Sequence, residues 1–168
     1  MGNIYIKELK NYFHTFFGWL FLALLTAFFG MFIVYINLLN GIPYISQTIS
    51  SMVVILMFVF PLLTMRTLAA EKRNKTDQLL LTSPIRVSSV ILGKFLALLT
   101  MLCIGCLVLF LGMLIMSRYG SIPVKESLLS VFGLILFGAM LASIGMFMSS
   151  LTEHQIIAAV LTYGSYIF

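Results

Sequence analysis

Between Arg66 and Lys94 lies the only long polar interval of a sequence that otherwise reads as apolar helix. Six of the ten Lys and Arg residues fall there. One Lys or Arg at the centre of a bilayer costs about 2.5–3.5 kcal/mol even on a lenient insertion scale, so this interval must sit outside the lipid while both neighbours sit inside. Composition agrees: hydrophobic residues make up 61% and charged residues 9%, against about 45–50% and about 25% in soluble domains. Too little polar surface remains to cover a water-soluble globule. The net charge of +5 does not point to nucleic acid, because the cations cluster at segment ends, as topology-setting charges do.

The chain opens on an amphipathic stretch. Ile6, Leu9, Phe13 and Phe16 recur at helical spacing, with Lys7, Lys10, Asn11 and His14 on the other side. That pattern predicts an interfacial helix over 3–15. Spans follow at about 16–39, 49–68, 90–116 and 127–151, with a partial fifth at 156–168. Each of the first four is long enough for the roughly 30 Å hydrocarbon core. The fifth run has thirteen residues, about 20 Å of helix, so the chain is expected to continue beyond Phe168. The fold class is thus an all-α polytopic membrane protein: one interfacial helix and a transmembrane bundle of a single domain.

Small residues mark packing faces in the spans. Ala23, Ala27 and Gly30 form one stripe, Gly105 and Gly112 another, and Gly138, Ala142, Gly145 and Ser149 the strongest seam. Pro61 removes a backbone hydrogen bond inside the second span and predicts a kink. Lys94, near the start of the third span, is expected to snorkel to the headgroups. Cys103 and Cys106 share a helical face and read as packing residues rather than a metal site or disulfide. His14 and His154 read as residues of the membrane edge.

The polar interval has helical character of its own. Glu71 and Lys75, and Arg73 and Asp77, stand four apart, which favours helix by about 0.2–0.5 kcal/mol per pair. Thr76 can cap a second short piece through Leu81, and Ser83-Pro84 breaks it before the third span. The N-terminal region and the Arg66–Lys94 interval hold eight of the ten cations, which places both in the cytoplasm by the positive-inside rule.

Chemistry is conspicuous by what the sequence lacks. Gly93-Lys94 has no upstream glycine and no following hydroxyl residue, so no Walker A motif is present. No zinc-protease or serine-hydrolase motif occurs, and no cofactor is implied. The spans read as free of buried Asp, Glu, Lys or Arg, which disfavours a self-energised carrier. A protein of this kind needs an outside motor, and the polar interval is the place to attach one.

Met65-Arg66-Thr67-Leu68-Ala69-Ala70-Glu71-Lys72-Arg73, Thr76, Leu79-Leu80-Leu81-Thr82-Ser83-Pro84 and Ile91-Leu92-Gly93-Lys94-Phe95 resemble the type-2 ABC transporter permeases, in particular the bacterial gliding-motility-associated branch. The resemblance implies a six-span permease half in a bacterial plasma membrane, paired with a second permease subunit and with cytoplasmic ABC ATPases. It places a coupling helix at about Ala69–Leu81, within a coupling segment of 66–89. There Glu71, Lys72, Arg73, Lys75, Thr76 and Leu80 are the expected ATPase contacts, the three cations being equally suited to anionic headgroups. The subunit itself is then not an enzyme, and export is the expected direction. Two alternatives stand beside this: a non-transporting scaffold or sensor that recruits a cytoplasmic partner, and, less favoured, a secondary carrier.

Overall fold

In a computed structural model of the chain, the structure describes residues 2–41, 45–65, 67–69, 87–118 and 123–167. The described residues are all-helical. α1 spans Gly2–His14, α2 Phe16–Phe32, α3 Ile45–Thr64, α4 Val87–Met116, α5 Val124–Leu151 and α6 Gln155–Ile167. α2 runs on through a π-helical segment, Ile33–Leu39. Four of these helical stretches are long and apolar enough to cross a membrane, and α6 is a shorter apolar helix.

The elbow from α1 into α2 is built by close approach. Thr15 adopts an extended conformation, and Gly18 comes so near the Tyr12 carbonyl that a Cβ there would collide with backbone. Trp19 Nε1 donates to the Phe13 carbonyl at 2.6 Å and fixes the angle. At its far end the α2 chain stops at Gly41, whose φ of 67° is the left-handed conformation that suits glycine.

α3 is the centre of the bundle. It packs most extensively on α5, and also on α2, α6 and α4, while α1 lies across α4. Met52, Leu56, Phe60 and Leu63 follow helical spacing and are buried, with Phe60 edge-on to Phe21 of α2 at 5.7 Å. Gly105 and Gly112 of α4 admit Leu25 of α2 and Ile33 of the π-helical segment. In lipid such contacts rest on packing and hydrogen bonds, because apolar tails surround the helices as readily as other helices do. The outer surface is correspondingly apolar, with Leu114, Leu129, Phe132 and Val160 all exposed.

The α5 seam faces inward. Gly138 meets Leu102 of α4, and a Cβ at Gly145 would lie 2.5 Å from Thr64 Oγ1 and 2.8 Å from Thr64 Cβ. Ala142 and Ser149 are fully buried. α6 is tied on by two phenols: Tyr163 Oη donates to the Phe58 carbonyl and Tyr166 Oη to the Leu141 carbonyl, each at 2.6 Å.

Three sequence expectations change here. Ala23 and Ala27 are exposed and nothing lies within 4 Å of a Cβ built on Gly30, so this stripe points away from the bundle. Spacing shows which residues share a face, not what that face meets. Cys103 is exposed and Cys106 buried, because the edge of the α4 packing face passes between them. α3 begins at Ile45 and ends at Thr64, about one turn earlier at each end than hydropathy alone places it. Ser50 and Ser51 return their hydroxyls to the Ser46 and Gln47 carbonyls, which lets the polar start join the helix. At the other end Thr67 closes a turn on the Thr64 carbonyl through both its N–H and its hydroxyl.

Candidate functional site

The chain leaves α3 at the edge of its most charged interval, and its backbone there is held by side chains from other helices. Ser149, near the end of α5, accepts from the Leu68 N–H at 3.2 Å and the Ala69 N–H at 3.1 Å, and its hydroxyl lies 3.4 Å from the Met65 carbonyl it can donate to. One buried hydroxyl thus serves three backbone groups of a segment that has just lost its helical partners.

Lys94 holds the same segment from α4. Its Nζ donates to the Thr67 carbonyl at 3.0 Å and to Glu8 Oε1 of α1 at 3.1 Å. The Lys94 side chain is 2% exposed and that of Glu8 12%. This is the ion pair found among the described residues, and it corrects two expectations together. Lys94 does not snorkel, and the helices do contain a buried charge. The physical reason is that Glu8 and the Thr67 carbonyl both lie within hydrogen-bond reach of Nζ, and a buried ammonium is tolerated only when paired and hydrogen-bonded.

α1 is seated by further contacts around this pair. A Cβ on Gly93 would lie 3.0 Å from Ile4, and Tyr5 Oη lies 2.9 Å from Thr100 Oγ1. Four elements therefore meet at one joint: α1 through Glu8, the end of α3 through residues 65–69, α4 through Lys94 and α5 through Ser149. Beside the joint, Leu68, Phe95, Met146 and Phe147 line an apolar cavity of about 290 Å³.

The profile of the family described as ABC-2 family transporter protein matches residues 40–167. The chain belongs to this family. It is therefore a multi-pass membrane subunit of an ABC transporter, and the ABC-2 joint lies at the root of its charged interval. No curated protein and no solved structure matched the chain.

Of the residues expected to act, Glu71, Lys72, Arg73, Lys75, Thr76 and Leu80 lie outside the described residues. Gly138, Ala142, Gly145 and Ser149 are brought together on one buried face of α5. Among the described residues no cluster of His, Cys, Asp or Glu could hold a metal ion. Sequence reasoning missed Glu8 and Thr67. A signal for Glu8 was present: on a helical wheel it falls beside Tyr5, Leu9 and Tyr12, not among Lys7, Lys10 and His14.

Proposed function

We propose that this subunit is the permease half of an ABC exporter, driven by a separate cytoplasmic ATPase that pushes on the segment beginning at Ala69. Its N-terminus and the 66–89 segment lie in the cytoplasm of a bacterial cell, as the charge distribution supports, and a second permease subunit completes the pathway. Glu71 makes the electrostatic contact to the ATPase, with Lys72, Arg73, Lys75, Thr76 and Leu80 beside it. Within the family, the motif from Met65 to Phe95 favours the gliding-motility branch.

The observation that carries the reading is the joint. Lys94 and Ser149 grip the backbone at Thr67–Ala69, directly where the proposed coupling segment starts. A push applied beyond Ala69 reaches α1, α4 and α5 through these bonds rather than dissipating in a loop. A scaffold has no need of such a linkage between its recruiting segment and three membrane helices.

The test is Glu71→Arg, read as ATPase co-purification and as transport by the reconstituted complex. A like-charge contact at an interface costs several kcal/mol, so ATPase retention falls at least about tenfold. Retention and transport both at the unmodified level would sink the role of Glu71. Substrate-stimulated ATP hydrolysis by the complex separates a transporter from a scaffold.

A further inference from the structure

α1 presents three sectors. Tyr5, Leu9 and Tyr12 turn toward the bundle, with Tyr12 buried. Lys7, Lys10, Asn11 and His14 recur at positions i, i+3, i+4 and i+7, and all four are exposed. Between these sectors lie Ile6, which is 49% exposed, and Phe13, which stands edge-on to Trp19 at 6.0 Å. Trp19 is itself 59% exposed.

The charge on the outward face follows from the joint. Glu8 is the one carboxylate of α1, and it is turned inward onto Lys94. What α1 offers its surroundings is therefore two ammonium groups and an imidazole, with no compensating negative charge. Directly beside them runs an apolar and aromatic strip in which Ile6 and Trp19 are exposed and Phe13 is partly buried.

We propose that this face of α1 binds the headgroups of anionic phospholipids, with Ile6, Phe13 and Trp19 set among the acyl chains beneath them. A cationic stripe alone would suit an acidic protein equally well. The adjoining apolar strip decides between the two, because a helix lying in the interface needs acyl contact on one side and headgroup contact on the next. Trp19 stands at the elbow between α1 and the first membrane-crossing helix, and tryptophan is a residue type enriched at membrane–water boundaries. Each lysine near an anionic surface strengthens a segment's affinity for that surface about fivefold. The inference needs only that the chain is a membrane protein, and it is independent of the ATPase contact at Glu71.

Trp19 is the single tryptophan of the sequence and so reports on its own neighbourhood. The protein is reconstituted in phosphatidylcholine vesicles containing a small fraction of brominated phosphatidylglycerol or, separately, brominated phosphatidylcholine, and Trp19 quenching is compared. The expected result is several-fold stronger quenching by the anionic lipid, weakened at about 1 M salt, where the Debye length falls to about 3 Å. The paired substitution Lys7→Gln and Lys10→Gln removes the excess, and Lys7→Arg with Lys10→Arg keeps it. Equal quenching by the two lipids in the unmodified protein overturns the proposal, as does an excess that survives the glutamine pair. Absence of any excess, together with loss of ATPase co-purification in the glutamine pair, would overturn it in favour of a protein partner.

Discussion

The two ends of the bundle treat buried polar groups in opposite ways. At the charged end, Ser149 serves three backbone groups and Lys94 is shared between Glu8 and the Thr67 carbonyl. At the other end, Thr48 Oγ1 donates to Asn37 Oδ1 at 3.2 Å, but Asn37 Nδ2 and Ser127 Oγ are buried with no hydrogen-bond partner among the described residues. Asn37 also sits in the π-helical segment Ile33–Leu39, whose i→i+5 hydrogen bonds are seldom the most stable local choice. A satisfied network rigidifies, whereas an unsatisfied one stores a cost of about 1–3 kcal/mol per orphaned group. The charged end is thus a locked joint, and the far end is the less fully satisfied of the two.

The largest expected effect comes from Lys94→Met. It leaves the partly buried Glu8 without its cation and the Thr67 carbonyl without this donor, and costs about 3 kcal/mol. Thermal unfolding of the purified subunit, with its folded yield, reads this directly. A loss below about 1 kcal/mol would mean the joint is not locked. Next comes one substitution made at both ends. Ser149→Ala orphans buried backbone groups and costs about 1–3 kcal/mol, whereas Ser127→Ala removes an unpaired hydroxyl and is neutral or stabilising. Equal losses at the two serines would erase the contrast.

A third comparison uses two glycines of α5. Gly145→Ala drives a methyl group into Thr64 and costs about 1–3 kcal/mol. Gly133→Ala meets nothing within 4 Å and gains up to about 1 kcal/mol from lost backbone freedom. The smallest effect is expected from replacing Asn37 and Thr48 together, by Leu and Val. With both partners of the bond gone, unfolding temperature stays unchanged or rises slightly. A loss comparable to that of Ser149→Ala would show that the far end is held as firmly as the charged end.

The fold was legible because a membrane span declares itself by length and hydropathy, and because positive charges mark the ends. The α5 residues Gly138, Ala142, Gly145 and Ser149 could be named from helical spacing alone. What spacing could not supply was the partner of a face. Ala23, Ala27 and Gly30 look like a packing stripe and point outward. Lys94 looks like a lysine of the membrane edge until Glu8, 86 residues away, is brought against it. The π-helical segment had no sequence signature, since apart from Asn37 its residues are those of any apolar span. The six expected ATPase contacts rest on resemblance and remain part of the proposed function.

The most direct test of the locked joint is a double-mutant cycle on Glu8→Gln and Lys94→Met, measured as thermal unfolding free energies of the purified subunit. The two residues touch, so the account predicts strong non-additivity: a coupling of at least about 1 kcal/mol, with the double substitution costing less than the sum of the singles. Additivity within about 0.5 kcal/mol would contradict it, because the Glu8–Lys94 pair would then contribute nothing to holding α1 on α4.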